Sequence, residues 1–240
     1  MQIVKPPHKC TNYSFYLSAL KGKRGLEIGG PSPLFQKRGT IPLYDHIHLD
    51  GCNFSGSTIW EGSLIDGDTY RYSTHIPPGH QYILDAVNLS PIPSKKYDFV
   101  LSCHSLEHVA NPLKALNEWI RVTKPRGYIL LILPEKSNTF DHNRQVTTLD
   151  HLITDYKNNI KEDDLSHLDE ILALHDVSRD GGTRSLLDLK ARALKNYENR
   201  AIHHHVFDLN LLYEIFQYLD IELICSEFVL PYHNIVLGRL

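Results

Sequence analysis

Short apolar runs that end in glycine or polar residues recur along the first half of the chain, and each predicts a buried strand followed by a turn. The first run, Leu26 to Ile28, leads directly into Gly29 and Gly30, which let the backbone approach a ligand closely. Further strands are predicted around residues 47–49, 81–84, 99–102 and 128–133. Five strands interleaved with longer connections predict an α/β fold with an open, mostly parallel sheet.

The clearest helical pattern starts at Asn111 and Pro112, a cap residue followed by a proline at the first helical position. Apolar residues then recur at helical spacing until Pro125, which stops the helix. Residues 1–23 fit a short helix lying over the sheet. Residues 51–80 are rich in Gly, Ser, Thr and Pro and are predicted to form an irregular connection that covers the ligand.

The pattern changes in residues 135–207, where short helical pieces alternate with polar segments and no strand is evident. We interpret this part as a helical, His-rich insertion that serves as a substrate-binding region or lid, and residues 1–134 with 208–240 as the core. Helices within the insertion are predicted at 149–156, 165–174 and 185–195.

After the insertion the chain returns to the pattern of the core. Asp208 caps a helix whose apolar residues face one side, with Phe207 and Leu212 placed for a hydrophobic staple. Two apolar strands follow at 221–229 and 233–239, and the turn between them is short enough for an antiparallel hairpin.

Composition narrows the class of protein. The chain has 240 residues, 42% apolar and 22% charged, which suits a globular domain with a substantial core. It contains no apolar run of membrane-spanning length and no signal-peptide pattern, so we expect a cytoplasmic protein. A net charge of -3 without a Lys/Arg stripe argues against nucleic acid as a partner. The sequence does not determine the oligomeric state, and an oligomer is possible.

The four cysteines are dispersed along the chain without a CxxC pair, which argues against a zinc knuckle and against a disulfide framework. We therefore expect free thiols. The chain also lacks the GxGxxG pattern, which disfavours an NAD-dependent enzyme.

The order and spacing of these elements resemble the class I S-adenosylmethionine-dependent methyltransferases with a small-molecule type of core, over residues 24–134 and 208–240. The resemblance is carried by LEIGGPSP, by Asp50, by Asp85 with Ala86, by SCHSLEHV and by TKPRGYILLILP. It implies a Rossmann-like sheet of seven mostly parallel strands with a reversed last strand. It also implies S-adenosyl-L-methionine as the cofactor and S-adenosyl-L-homocysteine as the product.

The resemblance further implies which residues bind the cofactor. Glu27 would lie near its methionine ammonium group, Asp50 would hold its ribose hydroxyls, and Asp85 would meet its adenine edge. The full set is Glu27, Gly29, Gly30, Asp50, Asp85, Ala86 and Ser102. The chain departs from the family pattern in its turn GGPSP, which has fewer glycines, and in Arg126, which replaces the second glycine of KPGG.

The insertion supplies the candidates for acid-base chemistry, because imidazole is the side chain best suited to proton transfer near neutral pH. His142 is predicted as the base, since it follows the fifth strand, and ligands bind outside the carboxyl ends of strands. Asp141, His204 and His205 are the further catalytic candidates. No spacing of these residues fixes a metal site, so none is predicted.

The acceptor is predicted from a resemblance to methyltransferases found with bacterial surface-polysaccharide enzymes. It implies O-methylation of a sugar hydroxyl, on a nucleotide-sugar or a capsular glycan. Four basic residues could meet phosphate or carboxylate on such an acceptor: Lys136, Arg144, Arg179 and Arg184. The alternatives are a small aromatic or lipid-like acceptor, a non-catalytic cofactor-binding module, and a metal-dependent hydrolase built on the histidines.

Overall fold

The computed structural model describes residues 10–240. Within these residues, ten strands are distributed over an eight-stranded sheet and a two-stranded hairpin. In chain order they are β1 (Arg24–Ile28), β2 (His48–Asn53), β3 (Ser57–Thr58), β4 (Gly62–Ser63), β5 (Gly67–Tyr70), β6 (Gly79–Ile83), β7 (Tyr97–Cys103), β8 (Thr123–Pro134), β9 (Glu222–Val229) and β10 (His233–Arg239).

Seven α-helices accompany the strands within residues 10–240. They are α1 (Tyr13–Leu20), α2 (Pro112–Val122), α3 (Leu149–Asn158), α4 (Leu168–Leu174), α5 (Leu186–Ala193), α6 (Asn196–Asn199) and α7 (Leu209–Tyr218). Helix α1 lies in the stretch for which a short helix was predicted, although residues 1–9 of that stretch are outside the described residues.

The main sheet has the strand order β5-β6-β2-β1-β7-β8-β10-β9. Strands β6, β2, β1, β7 and β8 run parallel, whereas β10 runs antiparallel to both β8 and β9. This topology confirms the prediction of a Rossmann-like, mostly parallel sheet that ends in a reversed strand and a hairpin.

The main sheet has eight strands, one more than the seven predicted. Residues 51–80 contain β3, β4 and β5, and β5 pairs antiparallel with β6 to form an eighth strand at the edge of the sheet. Of its residues only Tyr70 is buried. An edge strand with three solvated residues lacks the apolar alternation that marks a strand in sequence.

The core is packed on both faces of the sheet, because side chains alternate between the faces along each strand. In β7, Val100 packs with Trp119 of α2 and Phe216 of α7. Its neighbour Leu101 belongs to the opposite layer, which includes Tyr16 of α1. The sheet is therefore covered by helices on one face and by α1 with surrounding loops on the other.

The insertion is helical as predicted, and within the described chain no strand occurs between β8 and α7. Helix α3 packs against α2 and α7, which joins the insertion to the core. Ile171, Leu189 and Ile202 lie in a small apolar cluster of the insertion itself.

The predicted helix starts have the expected caps. The side-chain oxygen of Asn111 accepts a hydrogen bond from the backbone N–H of Lys114, and that of Asp208 accepts one from Leu211. Arg126, which replaces a family glycine, has φ 63°, a backbone conformation that glycine adopts with less strain. All four cysteines are free thiols. Over residues 10–240, no helix has the length and apolar character needed to cross a membrane.

Candidate active site

A cavity of about 490 Å³ opens at the carboxyl ends of the parallel strands. It lies where the sheet order reverses, because β1 has β2 on one side and β7 on the other. Open α/β sheets bind ligands at such a point, and the volume is in the range of small-molecule sites. Residues from the ends of β1, β2 and β7 line the cavity together with residues of the insertion, including Phe140, Arg200 and His203.

The glycine turn after β1 forms one wall of the cavity through Gly29. Gly29 has φ 78°, and a Cβ atom built on it would lie 2.0 Å from the hydroxyl oxygen of Ser105. Gly30 does not line the cavity, but a Cβ atom there would lie 2.3 Å from Cδ of Glu27. Both positions therefore require glycine, one for the backbone conformation and one for space.

Glu27 lies beneath this turn and does not line the cavity. Its carboxylate is fully buried and accepts hydrogen bonds from the hydroxyls of Tyr44 at 2.9 Å and Tyr70 at 2.5 Å, and from the backbone N–H of Ser32 at 3.0 Å. Burial outweighs these hydrogen bonds and raises the pKa of Glu27 to about 7. The structure thus places Glu27 as a support of the turn, not in the wall of the cleft where a bound ammonium group would lie.

Asp50, the predicted ribose ligand, is also not brought to the cavity. It is buried in the middle of β2, where it accepts hydrogen bonds from Arg24 at 2.9 Å, from the hydroxyl of Tyr97 at 2.7 Å and from the backbone N–H of His80 at 3.1 Å. Burial acts to raise the pKa of Asp50, but the bonds from Tyr97, His80 and Arg24 lower it overall. Asp50 is a structural carboxylate.

Asn53 occupies the position at which Asp50 was expected. Strand β2 continues three residues beyond Asp50, so its carboxyl end and the cavity wall are at Asn53. The side-chain N–H of Asn53 donates to the carbonyl of Gly30 at 2.9 Å, which ties β2 to the glycine turn. Asp50-Gly51 resembles the end of a strand in the sequence, whereas in the structure Gly51 pairs inside the sheet with Glu27.

Asp85 and Ala86, which the resemblance places at the adenine edge of the cofactor, line the cavity. The carboxylate of Asp85 pairs with Arg200 of the insertion at 2.9 Å, and the Arg200 guanidinium lies 5.2 Å from the ring centroid of Phe54. Ser102, by contrast, is buried within β7, and its hydroxyl has no hydrogen-bond partner among residues 10–240. The residues just after it, Cys103 to Ser105, form the cavity wall instead.

A histidine-carboxylate pair stands at the insertion side of the cavity. Nδ1 of His203 lies 2.5 Å from Oδ2 of Asp141, and His203 lines the cavity. Arg144 is buried behind them and donates to Asp141 at 3.0 Å and to the carbonyl of His203 at 2.8 Å. Because a carboxylate only accepts, Nδ1 carries the hydrogen and Nε2 of His203 is the nitrogen that can take up a proton.

Neighbouring charges shift the pKa values of both His203 and Asp141. Burial opposes the charged form of His203, but the negative charge and hydrogen bond of Asp141 outweigh it and raise the His203 pKa above its usual value. Burial would raise the pKa of Asp141, yet His203 and Arg144 lower it to about 2. The pair therefore keeps Asp141 ionised at neutral pH.

Glu107 and His108 form the floor of the cavity beside His203. Burial acts to raise the pKa of Glu107, but the hydrogen bond from His104 and the nearby imidazoles lower it, so the group is a carboxylate. Its Oε2 is buried and has no hydrogen-bond partner within the described chain. Burial and the neighbouring His203 lower the pKa of His108 to about 3, which keeps it neutral.

The other histidines predicted as catalytic are outside the cavity lining. His142 pairs with Asp176 at 2.9 Å, His204 contacts the side-chain amide of Asn196 at 2.9 Å, and His205 contacts Asp155 at 2.9 Å. Only Asp141 of the predicted set reaches the site, through His203. The sequence contained the histidine triplet 203–205, but only His203 lines the cavity, and its contact with Asp141 is a distant one that no local pattern encodes.

Two groups of side chains in the described part of the chain bring potential metal-ligand atoms within 4.8 Å of one another. One is Glu107, His108 and His203 in the cavity, and the other is His151, Asp155, His167 and His205 in the insertion.

Comparisons with known proteins agree with this architecture. Residues 61–131 match the family model described as a methyltransferase domain. No curated protein sequence matches the chain. An S-adenosylmethionine-dependent methyltransferase from Mesorhizobium loti is 10% identical, with 95% of each chain covered and a TM-score of 0.55.

Two further solved structures show the same fold. A SAM-dependent methyltransferase from Methanosarcina mazei is 14% identical, with 94% of this chain and 96% of that chain covered and a TM-score of 0.52. The methyltransferase CalH in complex with S-adenosylhomocysteine is 11% identical, with 95% of this chain and 54% of that chain covered and a TM-score of 0.52.

The match of residues 61–131 to a methyltransferase domain, the sheet topology and the position of the cleft together support an S-adenosylmethionine-dependent methyltransferase with the class I fold. Its cofactor is S-adenosylmethionine. The cleft fits a positively charged ligand, because Glu107 lines it together with Gly29 and has a buried carboxylate oxygen without a hydrogen-bond partner among the described residues.

Proposed function

We propose that this enzyme transfers a methyl group to a hydroxyl of a sugar, carried by a nucleotide-sugar or by a surface polysaccharide. The observation that carries the proposal is the pair of His203 and Asp141 in the cleft wall, 2.5 Å apart. A sugar hydroxyl is a weak acid and must lose its proton as it attacks, whereas an amine or thiolate acceptor needs no such base.

The cofactor would occupy the half of the cleft formed by the core. Gly29 would approach its amino-acid portion, Asn53 would offer an amide to its ribose, and Ala86 with Phe54 would line the adenine slot. Glu107 would lie near the positive charge. These assignments replace Asp50 by Asn53 and give Glu27 an indirect part, as the support of the turn.

The acceptor would occupy the half formed by the insertion, with its hydroxyl against Nε2 of His203. When the acceptor oxygen bonds to the methyl carbon, the methyl–sulfur bond would break and S-adenosylhomocysteine would leave; the acceptor proton would pass to Nε2, and Asp141 would stabilise the resulting imidazolium. Arg144 fixes Asp141 from behind and is too buried to meet an acceptor phosphate.

The rest of the lining suits a sugar with a charged substituent. Trp60 and Phe140 offer aromatic faces, and the Trp60 ring lies 5.0 Å from that of His108. Arg179 lines the cavity and is half-exposed, so it could bind a phosphate or carboxylate. Lys136 is engaged with the carbonyl of Arg144 and does not line the cavity.

A second candidate is a small aromatic or lipid-like acceptor. It is favoured by the aromatic side chains of Trp60, Phe140 and Tyr232, which could contact an apolar ring as well as a sugar. A phenolic hydroxyl would use the same base.

The experiment is a turnover assay that measures S-adenosylhomocysteine release with a panel of acceptors. The panel holds nucleotide-sugars, free sugars, glycan fragments, catechols and quinols, and wild-type protein is compared with His203→Ala. Turnover of sugars that depends on His203 supports the proposal. Turnover of phenols alone selects the second candidate, and sugar turnover that persists in His203→Ala rejects the base.

A further inference from the structure

Four side chains in the insertion converge on one point away from the cofactor cleft. His151 and Asp155 come from successive turns of α3, His167 precedes α4, and His205 lies in the segment that leads back to the core. Nε2 of His151 lies 3.2 Å from Oδ2 of Asp155 and 3.2 Å from Nε2 of His167. Nε2 of His205 lies 2.9 Å from the same carboxylate oxygen.

These separations are those of ligands around a small cation. Metal-nitrogen and metal-oxygen bonds of about 2.0–2.1 Å place the ligand atoms of a tetrahedral zinc site about 3.3 Å apart. The four ligand atoms observed here all lie within 4.8 Å of one another, and three of their contacts are 2.9–3.2 Å. A slight expansion around an ion would complete the tetrahedron.

Hydrogen bonds alone leave this cluster incompletely satisfied. One hydrogen on Nε2 of His151 would have to serve both Asp155 and His167. A hydrogen on Nε2 of His205 would be directed at the same Asp155 oxygen that Nε2 of His151 approaches, so two imidazoles compete for one acceptor atom. A cation at the centre satisfies all four ligand atoms together.

The surroundings match those of a structural metal site. The side chain of His205 is 1% exposed and that of Asp155 is 11% exposed, so half of the ligand set is shielded from water. A carboxylate oxygen of Glu170 lies 3.7 Å from Nδ1 of His167. A carboxylate at this nitrogen commonly orients an imidazole whose other nitrogen binds a metal.

We propose that His151, Asp155, His167 and His205 bind one Zn²⁺ as a closed, four-coordinate structural site. Three imidazoles and one carboxylate are a ligand set that zinc accepts. The ion joins α3, the start of α4 and the return segment, and so fixes the backbone two residues from His203. The site does not depend on the identity of the methyl acceptor.

The first test measures metal on the intact protein. The protein is stripped with a chelator and titrated with Zn²⁺ alone and with Co²⁺ alone. We expect one zinc per chain, the intense visible bands of tetrahedral Co²⁺, and a rise in melting temperature of about 5–10 °C at a hundredfold excess over Kd. Absence of zinc binding by the wild-type protein at micromolar concentration would overturn the proposal.

The second test locates the ion with variants. His151→Ala is chosen because this side chain is 40% exposed and its removal leaves the buried core intact. His80→Ala is the matched control, since His80 also faces two aspartates, Asp66 and Asp68, but lies outside the cluster. We expect His151→Ala to lose the zinc-induced shift and the cobalt bands, and His80→Ala to keep both.

The competing location is the group of Glu107, His108 and His203 in the cleft. His203→Ala would keep zinc if the insertion site is the one occupied. Zinc that is retained by His151→Ala but lost by His203→Ala places the ion in the cleft and refutes the proposal. The cobalt spectrum of the wild type does not require any variant to fold, so the first test stands by itself.

Discussion

Nδ1 of His203 lies 2.5 Å from Oδ2 of Asp141, although 62 residues separate them in the chain. The contact places a base with a fixed tautomer in the cleft wall. We expect His203→Ala to lower kcat by about 10²–10⁴-fold, the usual contribution of a general base, with little change in S-adenosylmethionine affinity. Steady-state kinetics with a turned-over acceptor and calorimetric titration of the cofactor measure the two quantities.

The control for this prediction is His142→Ala. His142 pairs with Asp176 outside the cavity lining, so its removal should leave kcat within about threefold of wild type. A large loss in His142→Ala together with full activity in His203→Ala would contradict the assignment and restore the sequence-based choice of base.

The pH profile should report the same pair. Only neutral His203 can accept a proton, so kcat/KM rises with pH until the His203 pKa, which Asp141 places above its usual value of 6.5. Asp141→Asn removes that charge while the effect of burial, which lowers the pKa, remains. The rising limb should therefore move to lower pH in Asp141→Asn, and a limb that stays in place would argue that another group titrates.

The glycine turn gives a prediction that separates backbone strain from cofactor contact. Gly29→Ala and Gly22→Ala both put a side chain at positive φ, 78° and 73°, so Gly22→Ala should lose about 1–2 kcal/mol of unfolding free energy. Gly29→Ala should lose more, because its Cβ atom would also lie 2.0 Å from the hydroxyl oxygen of Ser105. Only Gly29 lines the cleft, whereas a Cβ atom on Gly22 meets no atom within 4 Å among the described residues. Calorimetry should find weakened S-adenosylmethionine binding in Gly29→Ala and normal binding in Gly22→Ala.

Asn53 should contribute to S-adenosylmethionine binding, the role expected of Asp50 from the sequence, whereas Asp50 should contribute to the stability of the fold. Asn53→Ala should weaken S-adenosylmethionine binding by tenfold or more, about 1.4 kcal/mol, because it removes an amide from the cleft. Asp50→Asn should leave the affinity within about threefold but lower the free energy of unfolding by about 1.5–3 kcal/mol, since charged hydrogen bonds from Arg24 and Tyr97 are lost. The reverse pattern in calorimetry and urea denaturation would reinstate Asp50 as the ribose ligand.

Glu27 should leave a signature in the pH dependence of stability. Its folded pKa of about 7 is above its usual 4.5, so the folded state binds the extra proton between these values. Its contribution to stability is complete below pH 4.5 and is lost as pH rises to about 7. Each pH unit in this window costs up to about 1.36 kcal/mol, on the order of 3 kcal/mol in all.

Glu27→Gln cannot ionise and should not show this loss. We expect the stability of the variant relative to wild type to improve steadily between pH 4.5 and 7, as measured by urea denaturation at several pH values. An unchanged difference across that range would show that Glu27 titrates normally in the folded protein.

The sheet and the main helices could be predicted because their signals are local. The run that ends at Ile28, the cap at Asn111 and the cap at Asp208 each depend on a few neighbouring residues. Strand β5 could not be predicted, because it is a solvated edge strand held by pairing with β6. Local patterns describe buried elements better than edges.

The site was predicted less well, since it depends on register and on distant contacts. A shift of three residues in the end of β2 exchanged Asp50 for Asn53. Among three adjacent histidines, the one that faces the cleft is fixed by the contact of His203 with Asp141, and no local pattern encodes a pairing across 62 residues. Asp85 and Ala86 lie in the cavity lining because their segment follows closely on β6, an element with a local signal.

The segment from Arg200 to His204 connects the insertion to the core. Arg200 pairs with Asp85, His203 with Asp141, and the backbone N–H of His204 donates to the carbonyl of Glu107. An insertion transplanted into the core of another protein would therefore keep the contact of His203 with Asp141, but would lose both contacts of this segment with the core, at Asp85 and Glu107, unless the recipient supplied them.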